Sequence, residues 1–370
     1  LGAKVGAIGW GIGAGFGGVA LEHVPSSVLV ILLPAVESIA TLSMRAAGAP
    51  RWVYAPLACS QEVWPTVLRA GRVGGERAVT GLLVAVSAAW VLLLPGPTNA
   101  WPAAAATFAP AFAVLVVAHA SLRRTRAAFD RAPRVRMAAV VVNGAPPNDA
   151  PVDALWPMNS PEYRDVERAV ARYAPHVAEA AARGARLVVL PEVAVVVDET
   201  TRGEWLEATR RWASELGITI VAPCVDLSIP CNALEIVEPS GQTRSHDKQH
   251  PAPGLEPPRR TVEPAGPRDL AEGFSLSTPL CVDLDYPDVI AAARKGGVVA
   301  VPANDWPRSD FHLLHDRTAV WAAVLGEVTV LRAAGHGICS VRDGAGRLLA
   351  SASSLDGPVL LVVDAPVVAR

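Results

Sequence analysis

The sequence predicts a helical region of membrane type followed by an α/β domain whose second half is rich in β-strand. Three observations carry this. Charge is unevenly spread: residues 1–122 hold six Lys/Arg and four Asp/Glu, out of 33 and 35 in the chain. Long apolar runs recur only within that first third. From 137 onward, short apolar runs alternate with amphipathic stretches over brief links, the pattern of alternating strand and helix. Hydrophobic residues make up 51% of the chain, high for a soluble enzyme, and a net charge of −2 leaves no basic footprint for nucleic acid.

In the first region, 5–21, 27–44, 78–94 and 103–122 are each apolar and long enough to approach a bilayer's thickness at 1.5 Å per residue. A fifth run, 52–68, is interrupted by Glu62 and two prolines. Buried helices of a soluble bundle would still show a polar face, which the scarcity of charge denies here. Gly9, Gly13 and Gly17 repeat at four-residue spacing, which admits a close neighbouring helix. The Gly-rich stretch 13–18 also fits a GxGxxG pattern, but no strand precedes it, so a nucleotide site is rejected. The expected organisation is a transmembrane helical region over 1–122, an Arg-rich linker over 123–136 and a catalytic domain over 137–370.

Residues 137–142 read as the domain's first strand. Ser160-Pro161-Glu162 reads as an N-cap with proline in the first turn of a helix running to about 183, stopped by Gly184. Strand 186–190, helix 204–216 closed by Gly217, and strand 218–222 follow. Strand 233–237, a turn at 239–242 and a polar, Pro-rich loop over 244–268 come next. Apolar residues 274–280 then lead to Cys281 at a strand's end, and helix 287–295, strand 298–302 and a helix around 318–325 succeed it. Strands 328–332, 338–342, 347–352 and 359–363 complete the domain, with a hairpin turn at 343–346.

Chemistry concentrates at three positions. A thiol needs a base and a positive neighbour to act as a nucleophile, since the thiolate is the reactive form. Glu192 follows an apolar strand and a proline, so its carboxylate emerges at the end of a buried strand and suits a general base. Lys248 lies in the polar loop, where most lysines are merely solvated; beside a reacting carbonyl it would stabilise an oxyanion, with Glu256 holding the ammonium. His250 lacks a third, orienting partner and reads as a structural loop histidine. A lone cysteine is more often a small buried residue than a nucleophile; the ordered set of Glu, Lys and Cys favours the nucleophile. The five cysteines show no CxxC and no metal spacing with histidine, so no metal is expected, and Cys224 and Cys231 read as buried thiols.

Taken together, Pro191-Glu192, Lys248-x-His250 with Glu256 beyond, Cys281 with Asp283 and Pro287, and Asn304-Asp305-Trp306 resemble the nitrilase (carbon–nitrogen hydrolase) superfamily over 137–370. The resemblance implies a four-layer αββα sandwich. It implies Glu192 as base, Lys248 as oxyanion stabiliser and Cys281 as nucleophile, with Glu256, Asp283, Asn304 and Trp306 supporting, and no cofactor. A narrower resemblance, to the apolipoprotein N-acyltransferases, rests on the spans placed before such a domain. It rests also on Pro34-x-x-Glu37, Ser60-Gln61, Gly75-Glu76, and Leu331-Arg332-Ala333 with Gly337. It implies acyl transfer from a membrane phospholipid, through a Cys281 thioester, to the N-terminal amine of a lipoprotein. The chain departs from that family's pattern at Val282, Asp283, His246 and the shortened 304–306 motif, positions outside the triad.

Two other readings stand beside this one. A membrane-tethered amidase or nitrilase would use the same triad with water as acceptor, and a non-catalytic domain would only bind a partner. The arginines of 123–136 place the domain in the cytoplasm by the positive-inside rule. The family resemblance places it on the outer face of the cell membrane, and a domain this large translocates against a local bias. The chain starts with Leu and stops just after an apolar strand, so a fragment of a longer protein is expected.

Overall fold

The computed structural model of the chain describes residues 64–93, 101–142, 161–229, 231–251, 256, 267–270, 273–294, 297–305 and 311–368. Residues 1–126 and 127–370 form two compact units.

In the first unit, helix α1 (Pro65–Leu93) packs on helix α2 (Trp101–Arg131). Ala70 and Leu82 of α1 meet Ala111 and Ala118 of α2 in a small apolar cluster. Arg69 is buried, donating to Ser121 Oγ at 3.1 Å and Thr125 Oγ1 at 2.6 Å. The expected transmembrane region is not supported here: among the described residues, no helix is long and apolar enough to cross a membrane. The runs at 5–21 and 27–44 lie outside the described residues. The run at 78–94 falls on α1, whose first half carries Arg69, Arg72, Glu76 and Arg77 and so shortens its apolar length. The run at 103–122 falls on α2, where Pro110 and His119 interrupt it. The Arg-rich stretch 123–136 carries regular structure. Its first part continues α2 to Arg131, and its last residues open the first strand.

The second unit is built on β1 (Arg134–Val141), whose alternation sets the layers. Met137, Ala139 and Val141 point to one apolar core and Ala138 and Val140 to another, as the two-residue period of a strand requires. Strands β2 (Leu187–Val189), β3 (Val196–Val197), β4 (Thr219–Asp226), β5 (Cys231–Val237) and β6 (Thr243–Asp247) extend this sheet, and β13 (Val359–Pro366) closes its other edge. The order is β13-β1-β2-β4-β5-β6, with β3 beside β4. Helices α4 (Val166–Ala182) and α5 (Arg202–Leu216) cover its outer face through Tyr173, Val177, Trp205 and Trp212.

The second sheet runs β12-β11-β10-β9-β8-β7. Its strands are β7 (Arg268–Asp269), β8 (Ser275–Ser277), β9 (Val298–Asn304), β10 (Thr329–Gly335), β11 (Ile338–Arg342) and β12 (Leu348–Ser353). Leu276, Val298, Ala300, Leu331 and Val341 meet Met137, Leu187, Val189 and Leu234 of the first sheet in the core between the sheets. Helix α7 (Phe311–Gly326) packs on β10 and β11, and α6 (Pro287–Ala293) against α7. The layers are therefore helix, sheet, sheet, helix.

Three expectations change in detail. The single helix expected over 160–183 is two: α3 (Pro161–Arg164), then α4, because Asp165 turns extended and accepts the Arg168 N–H at 2.9 Å. The loop expected from 244 contains β6, whose register comes from pairing with β5 rather than from apolar alternation. Gly217 does close α5, with φ 65 in the left-handed region that glycine adopts without strain.

Candidate active site

Both sheets contribute to the site at the C-terminal ends of parallel strands. After β2, Leu190 N–H donates to Val221 O at 3.0 Å, keeping the chain on the first sheet. Glu192 N–H then donates to Ala303 O of β9 at 3.3 Å, crossing to the second. Val193, the next residue, has φ 55, a left-handed value uncommon for a β-branched residue. Lys248 is set by the β5–β6 hairpin: Ala233 pairs with Asp247, and Lys248 N–H donates to Asn232 O at 2.8 Å. Cys281 does not end a strand. Strand β8 stops at Ser277, and Cys281 opens a five-residue 3-10 helix, Cys281–Asp285, with φ 50. Such a conformation costs a non-glycine residue about 1–3 kcal/mol and recurs where a side chain must be aimed.

The structure brings Glu192, Lys248 and Glu256 into contact. Lys248 Nζ lies 2.8 Å from Glu192 Oε1 and 2.8 Å from the Glu256 carboxylate, all three side chains about 95% buried or more. Asn232 Nδ2 donates to Glu192 Oε1 at 2.7 Å and to Glu256 Oε1 at 2.8 Å. Burial opposes the Lys248 charge, yet Glu192 and Glu256 outweigh it and hold the ammonium well above its ordinary pKa. Lys248 is thus a permanent cation here. Asn232 was invisible in the sequence; its only signal is an amide near the start of a largely apolar strand.

Cys281 is buried, with Sγ 3.9 Å from Asn304 O. Burial and the nearby Glu192 push its thiol well above the ordinary value, and Lys248 only partly offsets them. Burial thus favours the protonated thiol over the thiolate. Glu192 Oε1 is held by both Lys248 and Asn232.

Asp283 joins the Lys248 segment to the Cys281 turn. Its carboxylate accepts Gln249 N–H at 3.1 Å, His250 N–H at 2.7 Å and Leu280 N–H at 3.2 Å. Burial pushes its pKa up to about 6, with Lys248 and the backbone donors opposing. His250 stacks on Tyr286 at 3.7 Å and contacts Asp288, a structural role. Asn304 Oδ1 meets His336 Nδ1 at 3.0 Å, and Trp306 lies outside the described residues. Among the described residues, no group of His, Cys, Asp and Glu is arranged to hold a metal ion. Cys224 and Cys231 are buried and not joined in a disulfide.

Residues 154–362 match the carbon-nitrogen hydrolase family. No curated protein sequence matches the chain. Among solved structures, the chain is similar to a double mutant of the amidase from Nesterenkonia sp. AN1 in complex with acrylamide. The TM-score is 0.52 at 20% identity, over 64% of this chain and 92% of that one. Another form of that amidase, showing Michael addition of acrylamide at the active site cysteine, gives 0.51 at 20% identity, over 63% and 93%. At this identity the likeness concerns the fold alone.

Proposed function

The chain belongs to the carbon-nitrogen hydrolase family, and from that premise we propose that it is an acyltransferase acting through a thioester on Cys281. The donor is a phospholipid of the cell membrane and the acceptor is the N-terminal amine of a lipoprotein, as in the apolipoprotein N-acyltransferases. The observation that carries the chemistry is the buried ammonium of Lys248 held between Glu192 and Glu256. Cys281 Sγ attacks the ester carbonyl and its proton passes to Glu192. Lys248 stabilises the tetrahedral oxyanion, the kind of contribution worth about 2.7–4 kcal/mol of barrier. Collapse expels the lysophospholipid alkoxide, which takes the proton back from Glu192 and leaves the thioester. The acceptor amine then attacks the thioester, losing a proton to Glu192, and the thiol re-forms as that proton returns to sulfur.

The choice of a lipid donor is supported by α2, where Phe108, Phe112, Val114, Val116 and Val117 are each 40–67% exposed. It is supported also by the sequence motifs that resemble those of the acyltransferases. The domain is placed on the outer face of the membrane, where lipoprotein amines are presented. Incubation with labelled phospholipid and a diacylglyceryl peptide tests the reading. The expected result is an acyl adduct on Cys281, absent in Cys281→Ala, and label on the peptide amine. Label released only as free fatty acid would replace transfer by hydrolysis, and no adduct despite phospholipid supply would end the proposal.

A further inference from the structure

A second buried charged cluster stands just past the C-terminal end of β9, the end whose carbonyls meet Glu192 and Cys281. Asp305 Oδ1 accepts from Arg332 Nη2 at 2.6 Å and from His315 Nδ1 at 2.8 Å, and all three side chains are almost fully buried. Arg332 Nη1 also donates to Ile338 O at 2.7 Å, and Asp305 N–H to Gly335 O at 2.7 Å. The group therefore ties β9, β10, β11 and α7 at one point. A Cβ on Gly337 would overlap the Asp305 carboxylate, so the β10–β11 turn closes directly upon it.

Three consecutive residues of β9 and its end divide the work. Ala303 O accepts the backbone N–H of Glu192, Asn304 O faces Cys281 Sγ, and Asp305 is the anchored residue. We propose that Arg332 and His315 are positioning residues which, by fixing Asp305, hold Cys281 in register with Glu192. The inference rests on Cys281 being the nucleophile. It gains support from the electrostatics: after burial, Glu192 and Asp305 raise the Cys281 thiol while Lys248 lowers it, and Cys281 in turn raises Arg332. Asp305 and Arg332 thus act on the sulfur with opposite signs.

The test is alkylation of Cys281 in the full chain by iodoacetamide, followed across pH by mass spectrometry, beside thermal midpoints. Asp305→Asn is expected to move the labelling midpoint to lower pH and Arg332→Met to higher pH. His315→Ala is expected to slow labelling roughly 10- to 100-fold through misplacement of the sulfur, and His315→Gln, which keeps a donor, to restore most of it. Should Arg332→Met fail to fold, Arg332→Lys is expected to keep the wild-type midpoint at a reduced rate. Folded variants that lose thermal stability but keep wild-type labelling rates and midpoints would overturn the positioning role. Wild-type protein that does not label at Cys281 would overturn the nucleophile reading and this inference with it.

Discussion

Replacing Lys248 by methionine should separate its electrostatic contribution to folding from its contribution to turnover. The ammonium is 3% exposed and contacts two carboxylates of 4% and 5% exposure. With both carboxylates ionised the three groups sum to −1 (+1 −1 −1); without the lysine they sum to −2. Breaking a buried ion pair by removing one partner costs about 3–5 kcal/mol, since the remaining charge is left unpaired. The loss of an oxyanion donor lowers kcat by roughly 10²–10³-fold. Adding Glu256→Gln returns the sum to −1, so Lys248→Met/Glu256→Gln should recover most of the stability while kcat stays low. Urea unfolding and steady-state acyl transfer measure the two quantities on the same preparations. A single variant as stable as wild type would refute the buried pair, and a double variant with wild-type kcat would refute the oxyanion role.

Three further outcomes are expected. Glu192→Gln should slow thioester formation about 10²–10⁴-fold, because the resting thiol then has no acceptor for its proton; wild-type acyl loading measured by mass spectrometry would remove Glu192 from the mechanism. Asp283, with its carboxyl pushed up to about 6 by burial, binds its proton more tightly when folded. Its stabilising effect is therefore present at low pH and lost as pH rises through 6, a difference of order 3 kcal/mol. Asp283→Asn should flatten the thermal midpoint between pH 4 and 7, and an unchanged slope would contradict that assignment. Trp205, fully buried and edge-on to Tyr173 and Trp212 at about 6 Å, should cost ~3–5 kcal/mol when cut to alanine. Labelling of Cys281 at an unchanged rate in that variant would confirm that the outer helical core acts on stability alone.

What the sequence disclosed was whatever is local. The alternation in β1 and the Gly217 stop of α5 are written in short windows, and so is the order of Glu192, Lys248 and Cys281. Strand β6 escaped because Thr-Arg-Ser-His-Asp has no apolar period; its place comes from the partner strand. The interruption at Asp165 escaped because the same carboxylate that caps α4 reads, in sequence, as one more polar residue on a helix. At the site, the thiol's protonation state depends on a sum over charges contributed from 192, 248 and 305, which no local pattern contains. Asn232, His315 and Arg332 join their partners across separations of up to 40 residues, and only the folded chain closes those distances.

Lys248 hangs from one sheet and Cys281 and Asn304 from the other, while Glu192 leaves the first and is tied to the second through Ala303 O. Between them lies an apolar seam of small and branched side chains, Ala139, Val189, Ala300 and Leu331 among them. In the proposed mechanism the reach from Lys248 to the carbonyl on Cys281 thus doubles as a gauge of how the two slabs are stacked. A slide of one against the other, too slight to disturb either slab's own ladder, would part ammonium from nucleophile, and turnover would fade while the secondary structure stayed whole.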